Sequence, residues 1–328
     1  GEIFAGAGVG SSGSSFSVGI NENNYMGTGT KLDTSFTIGS DQFTGRFSIT
    51  KPNFAYSEKS LRTTIESSKN DKLTVYGFNT KKTGVLLGTS YEQYKDVYLS
   101  PNVSLYFESL STNDSASANL KKQSGDYTDL NFSYNVMYDQ RNSKYQPSSG
   151  FYLNFFQDLP VFTSNDFSLE NGVEGSKYVD LGKDFISTFS FYTRIINSLN
   201  NEDVRVSKRV YLPQNRLRGF EAGKIGPVDE GNFIGGNYVF SANYSSTVPF
   251  LFPELQSADF KFFTDIGNVW GVDYSSTIKD SNEIRSSFGL GVDWFTPIGP
   301  LSFSLASPIT KASSDKTETF RFNIGTSF

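Results

Sequence analysis

The sequence predicts an all-β protein: a 16-stranded antiparallel transmembrane β-barrel with a long extracellular loop folded into its lumen. Apolar and polar side chains alternate along most of the chain, as in strands that have one apolar and one polar face. The alternation falls into about 16 segments, and bacterial outer-membrane barrels have an even number of strands. The chain also contains 31 Phe, 18 Tyr and 2 Trp, and aromatic girdles border the apolar band of such barrels.

The carboxyl-terminal segment shows this alternation most clearly. Phe320, Phe322, Ile324 and Phe328 stand at even positions, and the odd positions between them are polar or glycine. We therefore predict that these four side chains face lipid on the last strand. Residues 301–306 repeat the pattern.

The remaining strands follow from the same alternation. The predicted strands span residues 2–10, 14–21, 30–40, 43–51, 58–68, 79–92, 96–109, 126–138, 150–159, 167–181, 184–197, 235–246, 258–269, 285–296, 300–307 and 319–328. The longest connections, near residues 110–125, 198–234 and 268–284, all fall on one side of the membrane, and the turns on the other side are short. This asymmetry is typical of outer-membrane barrels. No change in composition divides the chain, so we expect one barrel domain over residues 1–328.

The composition excludes several classes of function. The 328 residues include no Cys and no His, and the formal net charge is −5. Disulfides, thiolate or imidazole metal sites, and Ser-His-Asp or Cys-His catalysis are therefore excluded. We expect no enzyme, no metal and no other cofactor. Lys and Arg are scattered in an acidic chain, which argues against binding to nucleic acid.

A soluble β-sandwich is the alternative fold, because many short strands with turn signals also indicate that class. A sandwich core would favour Val, Leu and Ile, whereas Phe and Tyr dominate the apolar face here. Aromatic residues near strand ends, such as Tyr25, Tyr98, Tyr152, Trp270 and Trp294, are placed as an interfacial girdle would be. The barrel is the better interpretation.

The connection near residues 198–234 is long enough to suggest a functional loop. It contains Arg218, Gly219 and Phe220, and Asp265 lies at a lumenal position of a later strand. A bidentate pair between Arg218 and Asp265 would hold the loop against the barrel wall. Alternatively, Arg218 lies in an external loop and Asp265 faces a water-filled channel.

The first predicted strand carries Gly6, Gly8 and Gly10 on one face. Glycine offers few packing contacts and high backbone freedom. We therefore predict weak pairing between this strand and its neighbour in the closed ring, the last strand at residues 319–328. Alternatively, the glycines make room for the loop behind them, and the two interpretations are compatible.

Several motifs resemble those of one family. Residues 218–220 resemble the arginine-glycine-aromatic loop motif of the BamA superfamily, which also includes TamA, two-partner secretion transporters, and the sorting and assembly barrels of mitochondria and chloroplasts. Further similar segments occur in the family's order, at residues 23–29, 50–54, 139–141, 147–150, 265–270, 299–304 and 322–325. The family often has an acidic residue on the strand before Asp265, and the register predicts Asn243 at that position.

The resemblance implies an insertase of the outer membrane of a Gram-negative bacterium. Family members fold β-barrel precursors through a lateral seam between their first and last strands, together with accessory lipoproteins in the lipid bilayer. The resemblance also leaves a protein-secretion transporter of the two-partner or TamA type open. Family members carry POTRA domains ahead of the barrel, and residues 1–328 contain none by this interpretation, so we expect a barrel-only piece.

Overall fold

The chain forms a closed β-barrel in a computed structural model that describes residues 1–11, 13–249, 257–273, 278, 280, 282–296 and 299–325. The strands of the amino-terminal half are β1 (Glu2–Gly10), β2 (Gly13–Tyr25), β3 (Thr30–Gly39), β4 (Gln42–Lys51), β5 (Ser60–Lys72), β6 (Phe78–Tyr94), β7 (Val97–Thr112), β8 (Gly125–Asp139) and β9 (Gly150–Thr163). Those of the carboxyl-terminal half are β10 (Ser168–Asp180), β11 (Ile186–Ser198), β12 (Val228–Asp229), β13 (Asn232–Phe233), β14 (Tyr238–Thr247), β15 (Ala258–Trp270), β16 (Arg285–Thr296), β17 (Gly299–Thr310) and β18 (Phe320–Gly325). Two short α-helices, α1 (Leu73–Tyr76) and α2 (Ala118–Lys122), and two 3-10 helices, Phe54–Tyr56 and Gln214–Arg216, lie in connections.

Sixteen of these strands make up the barrel wall, and every neighbouring pair is antiparallel. Strands adjacent in sequence pair with each other, β11 pairs with β14, and β1 pairs with β18 to close the ring. The short strands β12 and β13 form a separate hairpin within the connection from β11 to β14. The predicted fold class and the predicted number of strands are confirmed. No helix in the described residues is long and apolar enough to cross a membrane.

The alternation of side chains sorts residues between the outer surface and the lumen. On β15, Phe262 and Ile266 are 41% and 38% exposed, whereas Phe263 and Asp265 between them are 1% and 0% exposed. Outward-facing apolar side chains of this kind suit contact with lipid. The buried positions face the interior of the barrel, where the connection from β11 to β14 contacts them.

The apolar core lies inside the barrel, between the wall and its connections. One cluster contains Phe78, Leu110, Ala116, Leu120, Tyr127, Val206 and Ile234. A second cluster contains Val210, Leu212, Leu217, Phe220, Ile225, Val239 and Val269. Both combine residues of barrel strands with residues from the connection between β11 and β14. Burial of these side chains therefore fixes this connection in the lumen.

The predicted girdle position of Tyr152 is wrong. Tyr152 lies on the lumenal face of β9, where its hydroxyl donates to Oε1 of Glu174 at 3.4 Å and the Arg141 guanidinium lies 4.8 Å from its ring centre. Proximity to a strand end does not determine which face a residue occupies, because alternate residues of one strand point to opposite sides.

Several predicted strands are longer in the structure. β5 continues to Lys72, four residues beyond its predicted end, because its polar last residues still pair with β6. Backbone pairing does not require an apolar face. Residues 297–298 of one predicted turn and residues 326–328 of the predicted last strand lie outside the described residues.

Candidate functional site

The connection between β11 and β14, residues 199–237, is called the lumenal loop. Its Arg218 forms a bidentate pair with Asp265 of β15: Nε donates to Oδ2 and Nη2 donates to Oδ1, both at 2.7 Å. The Arg218 backbone N–H also donates to Oδ2 at 3.0 Å. The Asp265 side chain is 0% exposed and that of Arg218 is 15% exposed. A buried, bidentate ion pair therefore joins the loop to the wall.

Asn243 of β14 completes the environment of this carboxylate. The register places Asn243 opposite Asp265, as the sequence predicted. Its Nδ2 donates to Oδ1 of Asp265 at 2.8 Å and to the Arg216 carbonyl at 2.8 Å. An amide can donate here without adding a second negative charge. Asn243 thus supports the same anchor through hydrogen bonds.

Gly219 and Phe220 explain the rest of the motif. Gly219 has φ +93°, in the left-handed region, and a Cβ there would lie 3.3 Å from the Ala306 Cβ and 3.4 Å from the Ser287 Cβ. Glycine is suited to both the backbone angle and the close approach to the wall. Phe220 is 2% exposed and belongs to the second apolar cluster.

The sequence did not predict the part that Phe263 plays. The Arg218 guanidinium carbon lies 3.4 Å from the centre of the Phe263 ring, which is a cation–π contact. Phe263 stands at a lumenal position of β15, next to the lipid-facing Phe262. An aromatic residue on an otherwise polar face is the signal that could have identified it.

A second anchor lies at the start of the lumenal loop. Arg205 is 2% exposed and donates to Asp129 of β8 at 2.5 Å, and it lies 3.4 Å from Glu108 of β7. Lys208 bridges Asp129 and Asp166 at 3.2 and 3.3 Å. Residues of an irregular loop follow no period, so these partners could not be predicted from the alternation of side chains.

The described part of the seam between β1 and β18 is short. Only three residue pairs join the two strands among the described residues, whereas nine join β1 to β2. The three pairs are Gly8 with Gly325, Val9 with Ile324, and Gly10 with Asn323. At the end of the seam, the Ser11 N–H donates to the Phe322 carbonyl at 3.0 Å.

The remaining predicted seam residues lie outside the three described pairs, except Ile324. Gly6 pairs with Ser17 of β2, and the described part of β18 does not reach it. Phe320 and Ile324 are 50% and 37% exposed. Phe322 is half-buried and stacks on Phe320 with ring centres 6.1 Å apart. Phe328 lies outside the described residues.

Comparison with known proteins identifies the family. A sequence profile described as the Omp85 superfamily domain matches residues 24–328. The chain belongs to the Omp85 superfamily. Among solved structures, this Omp85 barrel is similar to BamA from Haemophilus ducreyi lacking POTRA domains 1–3, with a TM-score of 0.90, 24% identity, and coverage of 100% of this chain and 70% of the other. The resemblance found in the sequence is confirmed, and the chain has the fold of the outer-membrane barrel of BamA.

Named relatives include bacterial and human proteins. The outer membrane protein assembly factor BamA of Neorickettsia risticii is 26% identical over 73% of this chain and 33% of its own length. That of Neisseria meningitidis is 33% identical over 34% of this chain and 17% of its own length. The human sorting and assembly machinery component 50 homolog is 23% identical over 87% of this chain and 63% of its own length. The chain thus spans a third or less of the two bacterial relatives.

Proposed function

We propose that this Omp85 barrel is an insertase, which catalyses the folding and membrane insertion of other β-barrel proteins at the seam between β1 and β18. The observation that carries the proposal is the seam itself. Among the described residues, three pairs join β1 to β18, and two of them include a glycine of β1. Gly8 and Gly10 add no side-chain contacts across the seam, so these pairs depend on backbone hydrogen bonds and are weaker than pairs with packed side chains.

The chemistry needed at this seam is backbone hydrogen bonding. An unfolded strand can add to an exposed sheet edge through its own N–H and C=O groups, whatever its side chains are. Gly8 and Gly10 leave the lumenal face of β1 without side chains over the paired segment. An incoming strand therefore meets little steric hindrance on that face.

The lumenal loop favours lateral entry over transport through the barrel. It runs inside the barrel from Arg205, beside Asp129 of β8, to Arg218, beside Asp265 of β15. A secreted partner moving along the lumen would have to break both buried anchors. Separation of β1 from β18 leaves both intact.

The partners of the proposed insertase are unfolded outer-membrane β-barrel precursors, accessory lipoproteins of an assembly complex, and the lipid bilayer. The names of the relatives, outer membrane protein assembly factor and sorting and assembly machinery component, support the first of these. The proposed activity forms and breaks no covalent bond, so it needs no catalytic side chain and the protein is not an enzyme.

A disulfide across the seam tests the proposal. Val9 and Ile324 are directly opposite each other, and opposite residues in antiparallel strands have Cα atoms within reach of a disulfide. The full-length protein from the natural gene, with Val9→Cys and Ile324→Cys as its only cysteines, is reconstituted in liposomes. Folding of an added, urea-unfolded barrel protein is followed by its gel mobility without heating.

We expect the reduced variant to accelerate folding relative to empty liposomes, and the oxidised variant to lose the acceleration. The matched control is Val18→Cys with Phe36→Cys, a directly opposite pair between β2 and β3, whose disulfide leaves the seam free. An oxidised seam variant that works as fast as the reduced one contradicts the proposal. Ion conductance and transport of one partner, without accelerated folding, would support the secretion transporter instead.

A further inference from the structure

The two strands of the seam differ in what they present to the lumen. Over the paired segment, β1 presents Gly8 and Gly10, which have no side chains with which to bind the lumenal loop. β18 presents Arg321, whose side chain is 15% exposed. Arg321 lies two residues before Asn323, the first residue of β18 that pairs with β1, so β18 holds the loop by a charged side chain next to the described seam pairs.

Arg321 makes four hydrogen bonds. Its Nη1 donates to the Gln214 carbonyl at 2.6 Å and its Nη2 donates to the Phe220 carbonyl at 2.6 Å. Nε and Nη2 also donate to Oε2 of Glu318, at 2.9 and 2.7 Å. Two of these acceptors belong to the lumenal loop, more than a hundred residues earlier in the chain. One side chain thus joins the last strand to both sides of the Arg218 anchor.

The connection between β17 and β18, residues 311–319, reinforces this joint and is called the last loop. The Glu318 N–H donates to the Gly219 carbonyl at 3.0 Å, and the Glu221 N–H donates to the Lys316 carbonyl at 3.0 Å. Phe220 forms an isolated β-bridge with Thr317. The lumenal loop therefore pairs by its backbone with the segment that leads directly into β18.

We propose that Arg321 is a positioning residue that latches β18 to the lumenal loop, so that the state of the loop controls the last strand of the seam. While the latch is closed, β18 stays with the loop and the seam opens by movement of β1. The path of coupling runs from Asp265 through Arg218 and Phe220 to Arg321. The role of the latch in assembly rests on the proposed function, but the latch itself is a property of the barrel.

The guanidinium suits this task because of its shape. Its planar fork donates in several fixed directions at once, so it can bind two carbonyls and one carboxylate together. Lysine would keep the charge but not these directions. The closed latch and an outward displacement of β18 exclude each other, because movement of β18 would take the Arg321 donors away from the Gln214 and Phe220 carbonyls.

A double-mutant cycle read by amide hydrogen exchange tests the latch. The wild type, Arg321→Ala, Arg218→Ala and the double variant are placed in lipid nanodiscs, and exchange at residues 320–325 is measured by mass spectrometry. Loss of hydrogen bonds to a charged group should raise exchange of β18 by about tenfold or more in each single variant. In the double variant the two effects should not multiply, because Arg218 acts on β18 through Arg321.

Two further variants keep the test decisive. Ser287→Ala removes only the 2.5 Å hydrogen bond from Ser287 to the Arg218 carbonyl, and it replaces Arg218→Ala if that variant does not fold. Arg46→Ala is the control, because Arg46 faces the lumen from β4 and pairs with Glu66 of β5. It should leave exchange at β18 unchanged. Independent, multiplying effects of the loop and Arg321 variants, or no effect of the loop variant on β18, overturn the latch.

The readout needs no precursor protein, so the latch and the proposed function can fail separately. If the barrel shows the coupling but does not accelerate precursor folding, the latch is supported and the insertase function is contradicted. If the wild type and the Arg321→Ala variant accelerate folding equally well and the exchange effects are independent, the insertase function is supported and the latch is contradicted.

Discussion

Two regions of the barrel, the lumenal loop and the seam between β1 and β18, are held to their neighbours in opposite ways. The loop is fixed by buried charges, with Arg218 on a fully buried Asp265 and Arg205 among carboxylates of β7 and β8. In the part of the seam that the structure describes, three residue pairs join β1 to β18, and two of them include a glycine of β1. The contacts that are costly to break therefore lie inside the barrel, whereas the described seam has glycine in two of its three pairs and gains little from side-chain packing there.

The largest expected effect comes from breaking the loop anchor. Arg218→Ala leaves the carboxylate of Asp265 buried without its cation, which typically costs about 3 to 5 kcal/mol. We expect less heat-resistant folded barrel on a gel and a lower urea midpoint in lipid vesicles.

The matched control for that prediction is Arg46→Ala. Arg46 also donates through Nε and Nη2 to a carboxylate, that of Glu66, but its side chain is 56% exposed. A solvated pair of this kind contributes about 0 to 1 kcal/mol. Equal losses in the two variants would show that burial does not distinguish the loop anchor from an ordinary lumenal pair.

An intermediate effect is expected at the glycine of the motif. Gly219→Ala forces a side chain into the left-handed region and within 3.4 Å of the wall at two Cβ atoms. We expect a loss of roughly 1 to 3 kcal/mol, the range for such backbone strain.

Gly231→Ala separates the two causes within the same loop. Gly231 has φ +88°, close to that of Gly219, but no atom lies within 4 Å of a Cβ built there. It should therefore lose less stability than Gly219→Ala in the same urea titration. The reverse order would mean that contact with the wall does not limit the loop.

The smallest expected effect is at the seam, where the outward and lumenal faces can be compared directly. Ile324→Lys places a charge on the lipid-facing side of β18 close to its end, where the cost is about 1 kcal/mol or less. Asn323→Lys places it on the lumenal side and should cost less still. If Asn323→Lys costs more stability than Ile324→Lys, the assignment of faces at the seam is wrong by one residue.

Much of the fold follows from the sequence because a barrel strand repeats a simple rule. The period of two located all 16 wall strands, and parity alone put Asp265 in the lumen and Asn243 opposite it. The position of Tyr152 near a strand end predicted a place in the girdle, but this position does not determine the face of the strand, and Tyr152 faces the lumen.

The contacts of the site were less predictable for a physical reason. Arg218 and Asp265 are complementary side chains, so their types indicate a pair. Arg321 binds backbone carbonyls of the lumenal loop, and a carbonyl is present at every residue, so no residue type reveals which ones are used. Arg205 lies in an irregular segment, where the position of a residue in the sequence does not indicate which way its side chain points.

The ring closes between residues that are very far apart in the chain. The Phe322 N–H donates to Oγ of Ser11, 311 residues away, whereas β1 and β2 are neighbours in the sequence and pair up to Gly10 and Gly13. The conformational entropy lost on joining two chain positions grows with their separation, and contacts of this kind form slowly. Closure joins the two wall strands that are farthest apart in the sequence. We therefore expect it to be the last and slowest step when this chain folds, so the barrel's own biogenesis depends on bringing its two ends together.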